Sequence, residues 1–241
     1  MKPICTLFQR EFLGYFRSPV AYVVLAVFLI ASAALPWFVG SFFDGNDASL
    51  RAFFTFTPWV FLFLVPAVGM RLWAEEKRSG TWELLLTLPL TPTQAVLGKF
   101  LGAWAFISLA VLLTLPMPLT LAYLGEPDWG PVFGGYLGAI LMAGTYLGVC
   151  SLCSALTRNQ VISFVMSLAL CLVLVLLGWS VFNDFLLGFG LPVALVDAVS
   201  NFSFVTHFDN CIKGLITLAD LVFFLSVMAF TLLCNVLVLE R

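Results

Sequence analysis

Cys150 and Cys153 stand three residues apart in the segment CSLC, a spacing that puts both thiols on one helix face. A metal centre needs further Cys or His ligands around such a pair. None lies near in sequence, so the two read as small packing residues of an apolar run. His207 is the chain's one histidine. With Asp209 it offers donors for a cation, against the plainer reading of a histidine that hydrogen-bonds within its own loop. Gly98-Lys99 has the ending of a phosphate-binding loop, but position 93 is Thr rather than the required Gly, and Phe100 stands where Ser or Thr must follow. ATP hydrolysis by that route is excluded. The densest run of charge is RLWAEEKRSGTWELLLTLPLTPTQAVLGK, Arg71 to Lys99, in a chain that is otherwise 62% hydrophobic and 10% charged.

That composition is far from the soluble norm of about a quarter charged. Apolar runs of roughly 20 residues, the length that crosses a hydrocarbon core, recur along the 241 positions. The expected fold is an all-α membrane domain of six transmembrane helices, at 20–42, 53–72, 97–124, 132–156, 161–181 and 218–239. A signal peptide would need cleavage near Ala31-Ser32-Ala33, yet the apolar run continues to Phe43, which favours a retained span. The segment 1–17 reads as a helix in the interface plane, with Ile4, Leu7, Phe8, Phe12, Tyr15 and Phe16 on one face and Arg10 and Arg17 on the other. Glu11 falls in the apolar arc, where a carboxylate either seeks a cation, with Arg71 and Arg78 as the available candidates, or is solvated by a helix that rolls toward water.

Nine of the eleven Lys and Arg, all but Arg51 and Lys213, fall on the side that six spans assign to the termini. That side is therefore expected to be cytoplasmic, in a bacterial inner membrane. Within the cytoplasmic loop, Lys77 and Arg78 suit the negative end of a helix leaving span two, and Ser79-Gly80 supplies its stop. Thr81 then caps a short helix, 82–88, and Thr91-Pro92-Thr93-Gln94 is a capping box that starts the next helix inside the cytoplasm. Gly134, Gly138, Gly144 and Gly148 repeat at small-xxx-small spacing and serve either close packing within the chain or a dimer contact. Between spans five and six, 191–200 and 206–213 read as two short helices, too apolar to stand in water, that re-enter the outer membrane face.

EEKRSGTWELLLTLPLTPTQAVLGK resembles the coupling-helix segment of ABC-2-type transporter permeases. FQREFLGYFRSPVAYVV and SFVTHFDNCIKGLITLADLVFFLSV are similar to the interfacial helix with first span, and the last outer segment with sixth span, of the gliding-motility-associated branch. The resemblance implies that Glu75, Glu76, Lys77, Arg78, Gly80, Thr81, Trp82 and Glu83 contact a cytoplasmic ABC ATPase, with Arg158 as a minor second contact. It implies an outer gate formed by the segment holding Phe202, Phe204, His207 and Phe208. The chain itself would bind no cofactor, ATP and Mg belonging to two ATPase subunits. Further partners would be a second permease copy or paralogue, the lipid membrane and, for that branch, a periplasmic-domain accessory protein, with no nucleic acid.

The span centres carry no Asp, Glu, Lys, Arg or His, the ingredients of ion-coupled carriers, so an outside energy source fits better. An aromatic-rich path without buried charge suits an amphipathic, lipid-linked or polymeric export substrate. The rival reading of the same loop is a non-transporting scaffold that recruits cytosolic proteins. An intramembrane enzyme is disfavoured because the spans hold only scattered Ser, Thr and Cys.

Overall fold

A computed structural model describes residues 2–38, 49–81, 91–125, 127–190 and 192–240. Every regular element among them is helical. Among the described residues five helices are long and apolar enough to cross a membrane, and a sixth crossing results if one bent pair counts as a single span.

The chain opens with α1 (Lys2–Arg17), turns at Ser18, and continues as α2 (Pro19–Phe38). Pro19 opens α2, where its missing N–H has no helical partner to lose. α3 (Arg51–Gly69) runs into α4 (Arg71–Ser79), which ends on Gly80 in the left-handed conformation at φ 73°. Only glycine adopts that conformation without strain. The expected short helix at 82–88, with Trp82 and Glu83, lies outside the described residues.

α5 (Pro92–Leu112) begins with the capping box that its sequence predicts: Gln94 N donates to Thr91 Oγ1, and Thr91 N to the Gln94 side chain. The span expected at 97–124 starts earlier and is broken at 113–115, where α6 (Pro116–Leu124) takes over. A proline cannot continue the hydrogen-bond ladder, and Thr114 fills the break by donating to the Val111 carbonyl.

α7 (Trp129–Leu156) is the axis of the bundle. α3, α5, α8 (Gln160–Leu176) and α12 (Leu218–Leu239) all pack on it, and it is the most buried of the candidate spans. Its glycines make this possible. A Cβ at Gly144 or Gly148 would collide with Met228 or Thr231 of α12, and one at Gly135 with Phe54 of α3. The small-residue spacing thus serves packing within the chain. Gly148→Val is expected to lower stability by about 1–3 kcal/mol, as overpacked cores do, read as a drop in Tm of the detergent-purified protein.

The fifth span, expected to reach residue 181, stops at Leu176. The chain bends by 75° into α9 (Ser180–Gly188). Gly178 marks the bend because Ser203 and Thr206 occupy the space of a side chain there. α10 (Val193–Ser200) and α11 (Phe204–Ile212) follow, with α11 packed on α7 and α12.

Candidate functional site

Four charged residues meet where α1, α4 and α5 converge, at the end of the bundle that carries both termini. Lys99, its side chain only 4% exposed, places Nζ 2.7 Å from Glu76 Oε1 and 3.1 Å from Glu11 Oε1. Arg10 closes the group, 2.8 Å from Glu11 and 4.0 Å from Glu76. The cation of Glu11 is therefore Lys99, with Arg10 as the second, rather than Arg71 or Arg78. The reason is the crossing of α1 over α5, made close by Gly98, on which Leu7 rests, and Gly102, on which the Glu11 Cβ and the Phe12 and Phe8 backbone rest. Lys99 lies between those glycines and also stands 5.4 Å from the Trp73 ring, a favourable cation–π distance. Burial pushes the Glu11 carboxyl up, but Lys99 and Arg10 outweigh it and hold the group below its ordinary value.

α4 is also pinned to α7. The Ser154 hydroxyl receives the backbone N–H of Trp73 and Ala74 and donates to the Met70 carbonyl, which supplies bonds at the joint between α3 and α4. Ser151 accepts from the Trp73 indole N–H at 3.1 Å and from Asn235 of α12 at 2.5 Å. Lys77 donates to the Ala155 carbonyl at the end of α7, where a helix terminus favours a cation. Arg158, in the turn that follows, is near enough to repel it.

The expected ATPase contacts therefore divide. Glu76 is committed to the ionic cluster and Lys77 to α7, whereas Glu75, Arg78, Gly80, Thr81 and Arg158 are exposed. Arg10 and Glu11 belong to the cluster, and Arg17 is exposed beyond it. Lys99 is the participant that reading by side chain missed. Its signal was a lone cation flanked by apolar residues in GKFLG.

At the opposite end, α11 is held by a second polar group. Asp220, 2% exposed, accepts from His207 Nδ1 at 2.6 Å, Thr217 Oγ1 at 2.6 Å and Asn210 Nδ2 at 3.2 Å. His207 Nε2 faces the Asn201 carbonyl at 3.0 Å. The Asn201 carbonyl can only accept, so Nε2 carries a proton, and Nδ1 is engaged by Asp220. The partner of His207 is Asp220, not Asp209, on which the charges of Lys213 and Arg51 act. Among the described residues no group of three or more His, Cys, Asp or Glu is placed to hold a metal ion. Of the other expected gate residues, Phe204 and Phe208 are buried against Tyr146 and Phe54, and Phe202 is exposed.

Residues 30–188, well over half of the chain, match the ABC-2 family transporter protein profile. The chain belongs to the ABC-2 transporter family. A curated relative, the probable ABC transporter permease protein NosY of Pseudomonas aeruginosa PAO1, is 28% identical over 160 residues, covering 60% of this chain. The match spans 56% of that relative's own length. ABC-2 membership fits the multi-pass helical body. The matched stretch contains α3, α4 and α5, and so Glu76 and Lys99; Arg10 and Glu11 lie ahead of it.

Proposed function

We propose that this ABC-2 permease receives work from a separate cytoplasmic ATPase through the loop 71–99 and uses it to export an amphipathic, lipid-linked or polymeric substrate. The observation that carries the reading is the double attachment of α4. One side is tied to α1 and α5 through Lys99, the other to α7 through Ser154 and Lys77. A push on Gly80, at the exposed tip of α4, therefore reaches α1, α5 and the central α7 together. Rigid transmission requires such contiguous contacts with a bistable element beyond them.

On this reading the termini face the cytoplasm of the inner membrane, ATP and Mg reside on two ATPase subunits, and two permease copies, or this chain with a paralogue, enclose the path. α9 to α11 form the outer re-entrant gate, and the segment 82–88 forms the coupling helix. The gliding-motility-like branch adds a periplasmic-domain accessory protein, to be sought by co-purification.

Gly80→Val is expected to strain the left-handed turn, and Glu83→Ala to remove a contact carboxylate. Either should weaken ATPase co-purification or uncouple hydrolysis from transport in liposomes. Unchanged assembly and transport in both variants would remove the coupling assignment. Recruitment without any substrate-stimulated hydrolysis would instead identify a scaffold.

A further inference from the structure

Beside the ionic cluster, a cleft of about 310 Å³ opens among α1, α4 and α5. Its wall holds unspent polar capacity. Arg71 reaches Ser18 Oγ only at 3.3 Å, and its Nε is buried without a hydrogen-bond partner among the described residues, as is Glu76 Oε2. Glu75 also lines the cleft and makes no ion pair among the described residues, although Arg71 is four positions away on the same helix. The order Arg then Glu along a helix is the less favourable one for such a pair. Gly14 leaves its side of the cleft open, with no described residue within 4 Å of a Cβ placed there.

The same helix face continues into an apolar groove. Val60, Leu64, Ala67, Arg71 and Glu75 follow one another at spacings of four, three, four and four, which keeps them on one side of α3 and α4. The first three line a groove of about 450 Å³ against Val23, Val27 and Phe28 of α2. Arg71 and Glu75 line the polar cleft one turn further on. The cleft lies at the joint where α1 gives way to the spanning α2, the depth of the headgroups for an interfacial helix.

We propose that this pair of cavities binds a phospholipid whose headgroup carries both a phosphate and a primary ammonium, with an acyl chain along the α2–α3 groove. The phosphate accepts from Arg71 and from the Tyr15 hydroxyl. The ammonium donates to Glu75 and Glu76. A purely anionic headgroup leaves both carboxylates unmatched, and a trimethylammonium headgroup has no N–H to donate. The amphipathic order of the cavities selects a lipid over a side chain of the ATPase. The proposal rests on the chain spanning the membrane, not on the direction of transport.

The test uses the full chain purified with its ATPase and reconstituted in nanodiscs of equal phosphatidylethanolamine, phosphatidylglycerol and phosphatidylcholine. Lipid retained after detergent washing is quantified by mass spectrometry. Phosphatidylethanolamine should be retained above its share. Arg71→Gln should reduce that excess by about tenfold, the effect of one charge-assisted hydrogen bond. Gly14→Trp, which fills the cleft and keeps every charge, should abolish it. Retention at the bilayer ratio by the unmodified protein, or excess that survives Gly14→Trp in a monodisperse sample, overturns the proposal. Displacement by soluble phosphoethanolamine reassigns the cleft to a soluble phosphoamine and overturns the lipid assignment. Enrichment seen only when the ATPase is absent gives the cleft to the partner. Co-purification of the ATPase in each variant reports separately on the coupling role.

Discussion

Lys99→Met is expected to lower the stability of the purified permease by about 3 kcal/mol, read as a loss of Tm or a shift in denaturation midpoint. The figure is the low end for removing one partner of a buried ion pair. The low end applies because Glu11 and Glu76 keep 19% and 17% of their side-chain surface. Methionine preserves the volume and the contact with Trp73, so the loss is electrostatic: Glu11 and Glu76 are left facing each other with Arg10 alone. Removing the carboxylates as well, in Lys99→Met/Glu11→Gln/Glu76→Gln, should recover most of the loss, since buried ion pairs replaced as a set are often near neutral. Recovery would separate the cost of an orphaned charge from the worth of the cluster. If the single variant retains wild-type stability, the cluster has no part in holding α1 to α4 and α5.

The pH profile provides an independent check. The folded-state value of Glu11 is depressed below 4.5, so its stabilisation is present above that pH and is lost as pH falls through the folded value. Acid should therefore destabilise the wild type in this range. In Lys99→Met, burial opposes Arg10 alone, and the acid-side loss should shrink. An identical acid profile in the two proteins would show that Lys99 does not set the Glu11 ionisation.

The helical pattern was legible because long apolar runs in lipid leave few alternatives: a spanning backbone must satisfy its own hydrogen bonds. Local chemistry placed the Thr91 cap and the Gly80 stop for similar reasons, since each depends on three or four neighbouring residues. The break at 113–115 and the bend after Leu176 were not legible. Both depend on distant contacts, Thr114 with Tyr136 and Gly178 with Ser203, which an apolar window does not encode. The polar groups divide the same way. A carboxylate in the apolar arc of α1 left two outcomes for Glu11, a cation partner or a helix rolled toward water, and the structure shows the first. Its identity depended on Gly98 and Gly102 letting α1 lie across α5, a packing fact rather than a pattern. Asp220 was passed over because one acid at the start of a span reads as a membrane-edge residue, although Thr217 three positions earlier was a capping signal.

Breaking the polar group at the other end should release α11. His207→Leu leaves the Asp220 carboxylate, 2% exposed, with only Thr217 and Asn210, and is expected to cost about 3 kcal/mol for the orphaned charge. Local opening has its own readout in Cys211, on the same helix. Its side chain is buried against Gly138 of α7, and burial together with the Asp220 charge pushes its thiol up to about 11. Both lack of access and lack of thiolate protect it in the intact protein. In a Cys5→Ser background, which removes an exposed cysteine, His207→Leu should make Cys211 react with maleimide, and His207→Leu/Asp220→Leu should restore protection. Restored protection without restored transport would mean that the His207–Asp220 pair has a role beyond holding α11 in place. Restored protection and transport together would mean that it holds α11 in place and nothing more. A Cys211 that stays unreactive in His207→Leu would show that α11 is held by its apolar contacts with α7 alone, with Phe208 as the anchor.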